Sequence, residues 1–226
     1  MRTKSETRKQ AILQAAAEVF REFGFERSSI ADICERVGCS KPTLYNYFTS
    51  KEELFSEVGF WATEKEFLAT FEALDLNQED LTLSLISFGE RLLALLYSPQ
   101  VQAVRRMMVS EAGRSELGRR CYEMGPMRSN AVISAFLKQA MGQGKLRKAD
   151  PHIASIHLKA LLEAEWIEPF LFNTLPRQNA DQIKAMVSRA VATFMTAYQV
   201  FDTYLEFPKI GGIHKKMTRR ITGWSS

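Results

Sequence analysis

The sequence predicts an all-α fold, and three observations support this class. Apolar residues recur every three or four positions over long stretches, which places them on one face of a helix. Residues that cap helices (Ser, Asp and Asn) precede these stretches. No segment alternates apolar and polar residues over the length of a strand between hairpin turns. With 226 residues, 46% of them hydrophobic, the chain is long enough to bury the core of one or two domains.

The first three predicted helices lie near the N-terminus, and the second and third are short. The apolar spacing predicts a first helix over about residues 5–23, which Gly24 ends. A capping-box pattern that starts at Ser29 opens a second helix, over about residues 29–36. Ser40 opens a third.

Six further helices follow, which gives nine in all. Each begins at a capping residue or after a break in the apolar pattern. They cover about residues 51–74, 77–98, 101–112, 115–142, 151–172 and 179–204.

The formal net charge of +4 is unevenly distributed along the chain. Residues 1–51 carry nine Lys and Arg against six Asp and Glu, and residues 52–206 carry sixteen against twenty. Residues 207–226 carry five basic residues and no acidic ones. A basic end is the minimal electrostatic signature of a protein that meets phosphate groups. The pattern therefore predicts a basic head, a mildly acidic body and a basic tail.

Several classes of protein are disfavoured by the same sequence. No uncharged apolar run is long enough to span a membrane, and no apolar leader follows the N-terminus. Cys34, Cys39 and Cys121 cannot all pair and lack the spacing of a zinc site, so we expect reduced thiols in a cytoplasmic protein. The metalloprotease, P-loop and nucleophile-elbow motifs are missing. We predict no enzyme activity, no cofactor and no metal.

The segment from Ser29 to Phe48 carries the clearest functional signal. Gly38 allows a tight turn between two short helices. The first helix would bury four residues and the second would bury Leu44 and Phe48. The residues left facing outward are Lys41, Thr43, Tyr45, Asn46 and Tyr47. This pattern predicts a helix-turn-helix whose second helix enters the major groove of duplex DNA.

These residues resemble the tetracycline-repressor (TetR/AcrR) family of bacterial regulators over about residues 8–58. The resemblance rests on the first helix and on five motifs: Gly24-Phe25, Ser29-Ile30-x-x-Ile33, Gly38-Cys39-Ser40-Lys41, Thr43-Leu44-Tyr45-x-Tyr47-Phe48 and Lys51-Glu52-Glu53-Leu54. A looser similarity connects the C-terminal part with AefR-type regulators, through Ser110-Glu111-Ala112, Glu116-Leu117-Gly118, Gly125-Pro126, Gly144-x-Leu146 and Asp150-Pro151. The resemblance implies a DNA-binding domain over residues 1–51 and a ligand-binding and dimerisation domain over residues 52–206, followed by the tail 207–226.

The resemblance also implies roles for individual residues of the head. Lys41 would contact guanine or phosphate, and Thr43 would contact phosphate. Tyr45 and Tyr47 would present a ring to a thymine methyl and a hydroxyl to phosphate, or else serve as core aromatics. Asn46 would read adenine. Ser29 and Lys51 lie at the starts of flanking helices and would bind phosphates. The alternative is that Ser29 is only a helix cap and that Lys51 is only a solvated residue at a helix start.

The body is rich in Phe, Met and Trp, which are typical of the walls of an apolar ligand cavity. Core packing is the alternative explanation for each of them. The residues predicted to bind a ligand are Trp61, Phe67, Phe88, Met107, Met108, Glu111, His157, Trp166 and Phe170. Acidic residues near aromatics favour a cationic, lipophilic effector.

Two apolar stripes in the last helices predict a homodimer. The stripe in the last helix is too broad to be buried on one side only, so a two-fold four-helix bundle would cover the rest. The predicted dimer contacts are Ile156, Ala160, Ala164, Val187, Val191, Phe194 and Tyr198.

The predicted function is that of a DNA-binding transcriptional regulator, a repressor released by its ligand. Its partners would be a palindromic operator in duplex DNA, a small hydrophobic effector and a second copy of the chain, with no role for a membrane. The alternative is a DNA-binding protein with a filled C-terminal core, which acts without ligand or under the control of a partner.

Overall fold

A computed structural model describes residues 4–78, 80–111, 113, 116–177 and 179–200. Within these ranges all regular structure is helical, which confirms the predicted fold class. The helices are α1 Lys4–Arg27, α2 Ile30–Val37, α3 Lys41–Tyr45, α4 Lys51–Glu72, α5 Leu81–Leu96, α6 Pro99–Glu111, α7 Leu117–Tyr122, α8 Arg128–Gly142, α9 Pro151–Glu163, α10 Ile167–Leu171 and α11 Ala180–Tyr198. A π-helical turn, Glu123–Met127, joins α7 to α8.

The capping residues of the sequence mark the helix starts. Ser29 and Asn179 form capping boxes at α2 and α11. The side chains of Ser40, Ser50 and Asp150 each accept a hydrogen bond from an N–H in the first turn of α3, α4 or α9. These bonds satisfy backbone donors that a helix start otherwise leaves free, so the local sequence determines where these helices begin.

The predicted count of nine helices is wrong for the described residues, because two predicted helices are divided. Pro126 lacks an N–H and lies in the π-helical turn between α7 and α8. Pro169 has no amide hydrogen for the carbonyl of Glu165, and a turn at residues 164–166 separates α9 from α10. At Gly24, φ is 75° and the helix kinks, but helical turns continue to Arg27.

Two groups of buried apolar side chains form separate cores. The head cluster joins α1, α2 and α3 to the start of α4, and includes Ile12, Val19, Ile33, Leu44, Phe48, Leu54 and Val58. The body cluster joins α5, α8, α9 and α11, and includes Phe71, Leu85, Phe88, Ile133, Leu158, Val187 and Phe194. Helix α4 contributes Leu54 to the first cluster and Phe71 to the second, so it is a rigid element shared by head and body.

Close helix packing in the body depends on Gly89 of α5. A Cβ atom at this position would lie 2.8 Å from a side-chain carbon of Leu162 in α9 and of Val187 in α11. The glycine therefore lets α5 approach both helices.

No single described helix is long and apolar enough to cross a membrane. The α5–α6 pair reaches that length and composition only jointly, with a bend of 68° between the two helices.

Candidate nucleic-acid interface and internal cavity

The turn between α2 and α3 has the backbone that a helix-turn-helix requires. Gly38 adopts a left-handed conformation with φ 67° and ψ 52°, which costs a glycine little. Its N–H donates to the Glu35 carbonyl, and the N–H of Cys39 donates to the Cys34 carbonyl. Arg8 of α1 also donates to the Gly38 carbonyl, at 3.0 Å. The start of α3 is thereby fixed against α1 and α2.

Three of the predicted DNA-contacting residues lie together on the exposed side of α3. Lys41, Tyr45 and Asn46 are exposed, and Tyr45 retains 47% of its accessible surface. Thr43 is half-buried, and its hydroxyl is 2.8 Å from the capping hydroxyl of Ser40. Tyr47 is half-buried against the head cluster. The surface presented to a partner is therefore one cation, one phenol and one amide, with a second tyrosine at its edge.

Ser29 and Lys51 are engaged within the head itself. The Ser29 hydroxyl donates to the carboxylate of Asp32 at 2.8 Å and accepts from its backbone N–H. The Lys51 ammonium donates to the carbonyls of Phe25 and Ser28, at 2.8 and 3.1 Å, and lies 4.2 Å from the centre of the Phe25 ring. Lys51 is therefore not a solvated helix start. Its ammonium, at the start of α4, binds the backbone at the end of α1.

An ion-pair network connects the head to the body. Glu57 of α4 pairs with Lys9 of α1 at 2.9 Å, and Arg120 of α7 contacts both Glu57 and the buried Glu53. Glu53 also accepts hydrogen bonds from the backbone N–H and hydroxyl of Thr49. Burial alone would raise the pKa of Glu53, but the bonds from Thr49 and the charge of Arg120 outweigh it and lower the pKa. The sequence does not predict this network, because Arg120 is far from α4 along the chain.

The body contains a cavity of about 230 Å³ that is partly open to solvent. Its walls are mostly apolar and come from α4, α5, α6, the π-helical turn, α8, α9 and α10. The lining residues are Gly59, Phe60, Thr63, Phe67, Leu92, Leu95, Leu96, Val101, Val104, Arg105, Met108, Val109, Gly125, Pro126, Ser129, Lys159, Glu163, Ile167, Phe170 and Leu171. Apolar walls around a few polar groups are typical of small-molecule sites.

Three charged side chains line this cavity among the residues that the structure describes. Arg105 of α6 pairs with Glu163 of α9 at 2.7 Å, and the hydroxyl of Tyr97 donates to the same carboxylate at 3.1 Å. Burial, with the adjacent negative charge of Glu163, raises the pKa of Tyr97 and keeps its phenol protonated. Burial lowers the pKa of Lys159, and Arg105 contributes to the same direction. Ser129 of α8 also lines the cavity, with its hydroxyl unpartnered among the described atoms.

Of the predicted ligand-binding residues, the structure brings Phe67, Met108 and Phe170 to the cavity. Phe88 is fully buried in the body cluster, and Trp166 packs edge-on against Tyr97.

Four further predicted ligand residues lie elsewhere or outside the described part of the chain. Trp61 faces outward with 43% exposure, and Met107 accepts a hydrogen bond from Ser56. His157 bonds the hydroxyl of Tyr198 at 2.6 Å, away from the cavity lining. The side chain of Glu111 lies outside the described residues. These predictions depended on residue type, which does not show the direction of a side chain.

The predicted preference for a cationic effector stays a prediction, and the described charges of the cavity bear on it. Among the described lining residues the charges are two cations and one carboxylate, and that carboxylate is already paired. Arg105 and Lys159 carry the positive charge, and sequence reasoning missed both. Lys159 and Glu163 are four residues apart on one helix, and this spacing indicates that the two side chains lie on the same face.

The predicted dimer contacts divide into an exposed set and a buried set. Ile156, Ala160 and Ala164 are exposed on the outer face of α9 and at its C-cap. Val187, Val191, Phe194 and Tyr198 are buried, because α11 turns this stripe towards α5 and α9 of the same protomer. For those four residues the prediction of a direct dimer contact is wrong.

Comparisons with known proteins identify the family of this chain. Residues 12–58 match the family model of bacterial regulatory proteins of the tetR family, and residues 84–200 match the C-terminal domain of AefR-like transcriptional repressors. The chain belongs to the TetR family. It is a DNA-binding transcriptional repressor, as the sequence predicts.

Relatives of this TetR-family repressor are also regulators. It is 28% identical over 155 residues to the HTH-type transcriptional regulator UidR of Escherichia coli, a match that covers 61% of this chain and 79% of UidR. It is 44% identical over 50 residues to the HTH-type transcriptional repressor ComR of E. coli, which covers 22% of this chain and 24% of ComR.

Solved structures show the same fold. A putative TetR-family regulator from Mesorhizobium loti superimposes with a TM-score of 0.76 at 27% identity, over 88% of this chain and 100% of that one. The flavonoid-responsive regulator FrrA superimposes with a TM-score of 0.63 at 26% identity, over 86% of this chain and 98% of FrrA.

Proposed function

We propose that this TetR-family repressor binds a near-palindromic operator as a homodimer and leaves it when a small molecule fills the cavity. The observation that carries the proposal is the apolar cavity of about 230 Å³, whose wall includes Gly59, Phe60, Thr63 and Phe67 of α4. The same helix contributes Leu54 to the head cluster. Any ligand-induced shift of α4 therefore reaches the DNA-binding head.

The head would bind DNA through α3. Lys41 is exposed and has no described ion pair, so it supplies a charge for phosphate or guanine. Tyr45 and Asn46 offer the side-chain types that contact thymine methyls and adenine edges. Thr43, Tyr47 and Ser29 lie beside this surface.

The dimer would form through the outer faces of α9 and α11. Ile156, Ala160 and Ala164 are exposed along α9. Small and apolar side chains let two helix pairs approach closely, and a two-fold axis then relates the two heads. The heads would meet half-sites about 34–36 Å apart, which requires an inverted repeat in the operator.

Release by a ligand is supported by the connection between cavity and head. Gly125 and Pro126 of the π-helical turn line the cavity, and Arg120 lies one turn before them and holds Glu53 and Glu57 of α4. A ligand that favours a different position of this segment would change the tilt of the heads. A coupling of about 1–3 kcal/mol weakens operator binding roughly 5- to 150-fold.

FrrA is a flavonoid-responsive regulator. Phenylalanine side chains in the cavity wall suit a ligand with an aromatic ring here as well. The cavity is also the reason for preferring a ligand-released repressor over a regulator with a filled core.

The proposal can be tested with the purified full-length protein. Binding-site selection from random duplexes is expected to enrich an inverted repeat with half-site centres one helical turn apart or a multiple of it. Compounds from a hydrophobic library that raise the melting temperature are then added to the operator complex. Release by at least one of them supports the proposal. A non-palindromic site, or an operator affinity that no stabilising compound changes, would overturn it.

A further inference from the structure

We propose that the cavity selects a small monoanionic ring compound, an aromatic or alicyclic carboxylate, whose carboxylate pairs with Lys159 and accepts a hydrogen bond from Ser129. This inference names the effector class of the cavity and rests on the function proposed above.

The first step concerns the Arg105–Glu163 pair. The two side chains are 18% and 16% exposed and lie 2.7 Å apart. Glu163 also accepts a hydrogen bond from the Tyr97 hydroxyl. The carboxylate thus has two donors and its charge is compensated. Among the described residues of the lining, a cationic ligand would find no free anion and would meet a net positive charge.

Lys159 is the unpaired cation of this lining. It makes no hydrogen bond or ion pair with any described residue, although Glu163 lies one turn further along the same helix. Removing an ammonium from water is costly unless an opposite charge or hydrogen-bond acceptors replace the water. The depressed pKa of Lys159 reflects that cost. A carboxylate brought in by a ligand would supply the missing anion and favour the charged lysine.

Ser129 provides a second, independent indication of a ligand. Its residue is 6% exposed, its hydroxyl has no hydrogen-bond partner among the described atoms, and it lines the same cavity. Buried polar groups in folded proteins are almost always hydrogen-bonded, so an unpartnered hydroxyl needs a reason. A ligand carboxylate would accept this O–H.

The apolar walls determine the rest of the ligand. A cavity of roughly 150 Å³ holds benzene, so about 230 Å³ has room for one ring with a substituent or for two fused rings. Phe170 forms part of the wall, and the guanidinium groups of Arg105 and Arg106 each lie 4.7 Å from the centre of its ring. These contacts hold the ring in place in the wall.

The test uses three naphthalene probes of the same size: 2-naphthoate, 2-naphthamide and 2-naphthylmethylamine. Binding to the full-length protein is measured by isothermal titration calorimetry and by the shift in melting temperature. We expect the acid to bind at least roughly tenfold more tightly than the amide, since hydrogen bonds to charged groups are the stronger ones. The amine is expected to bind most weakly.

Four variants separate a ligand contact from a structural role. Lys159→Met should weaken naphthoate binding roughly 10- to 100-fold and leave naphthamide binding unchanged. Lys159→Arg keeps the charge and should keep the preference for the acid. Ser129→Ala should weaken the binding of naphthoate roughly 3- to 10-fold without lowering the melting temperature of the free protein. Lys138→Met, an exposed lysine of α8, is the control and should change nothing.

The proposal is overturned if the amide or the amine binds as well as the acid, if no probe binds, or if Lys159→Met lowers the affinity for all probes equally. Operator release is measured in parallel. A neutral compound that binds and releases DNA would leave the proposed function standing and reject the anionic class. Naphthoate bound through Lys159 without any effect on operator affinity would support the site and reject ligand release.

Discussion

The guanidinium of Arg120 pairs with the buried carboxylate of Glu53, and this contact joins the body to the head. Glu53 is 5% exposed and also binds the backbone N–H of Thr49, which follows α3 in the chain. Arg120 lies one turn before Gly125 and Pro126 of the cavity wall. A short physical path therefore runs from the cavity to the end of the recognition helix.

The first prediction is that Arg120→Met uncouples effector from operator. Operator affinity without effector should remain close to wild type, because Arg120 does not belong to the exposed surface of α3. The effector-induced loss of affinity should fall well below the wild-type ratio, since the contact that transmits a shift of α7 to α4 is missing. Fluorescence anisotropy with a labelled operator, with and without effector, gives both values.

Arg119→Met is the matched control for this experiment. Arg119 is exposed and pairs only with Glu116 and Glu123 of its own segment among the described residues, so its removal should leave the coupling ratio unchanged. Equal ratios in the Arg120 and Arg119 variants would exclude the ion pair from the allosteric path.

The second prediction concerns the pH dependence of stability. The folded pKa of Glu53 lies below its ordinary value of 4.5, so the unfolded chain binds a proton first as the pH falls. The stabilisation is therefore complete well above pH 4.5 and is lost as the pH falls through the folded pKa. We expect Glu53→Gln to cost about 1–3 kcal/mol near neutral pH, and this difference from wild type should shrink in acid.

Urea unfolding of wild type and Glu53→Gln at pH values on both sides of 4.5 checks this result. Glu26→Gln, which removes an exposed carboxylate of α1, serves as the control for a change in net charge. If the difference in unfolding free energy between wild type and Glu53→Gln grew as the pH fell, the pKa of Glu53 would be raised and not lowered in the folded protein.

Local sequence signals predicted the helix starts and the helix-turn-helix because the chemistry that defines them is local. Ser29, Ser40 and Ser50 bond N–H groups within three residues, and Gly38 needs only its own backbone freedom. The division of two helices at Pro126 and Pro169 could have been inferred from the missing amide hydrogens.

The polar lining of the cavity could not be predicted in the same way. Arg105, Ser129 and Lys159 come from three different helices, and only the packing of the body brings them to one cavity. The prediction that Val187 and Phe194 contact a second protomer failed for a related reason. Apolar residues are buried first against their own protomer, so the exposed face of α9 carries small residues such as Ala160.

The third prediction distinguishes Lys41 from Lys51. Lys41 is exposed and without a described partner, so Lys41→Gln should lower the salt dependence of operator binding by about one unit for each phosphate that the lysine neutralises. Lys51 donates to two backbone carbonyls, and Lys51→Gln should leave the slope unchanged. It should instead lower the free energy of unfolding by about 1–2 kcal/mol.

Two measurements on each variant separate the two outcomes. They are operator affinity over a series of salt concentrations and chemical denaturation. A flatter slope for Lys51→Gln at unchanged stability would return Lys51 to the set of residues that bind phosphate.

The fourth prediction tests the outer face of α9. Ala160 is exposed there, and a two-fold contact would bring Ala160 of each protomer close to the partner helices. Ala160→Asp would bury two unpaired carboxylates in that interface, which is strongly unfavourable. We expect a folded monomer by sedimentation velocity. Operator affinity should fall by a factor on the order of 100 or more, because the second head no longer binds as part of the same molecule.

Ala131→Asp on α8 is the control, since it places the same charge on an exposed alanine outside the proposed interface. It should remain dimeric and bind the operator like wild type. If Ala160→Asp stayed dimeric as well, the dimer axis would have to pass through another surface. The spacing of half-sites in the selected operator would then have to be derived anew from that axis, because the position of the axis determines the distance between the two recognition helices.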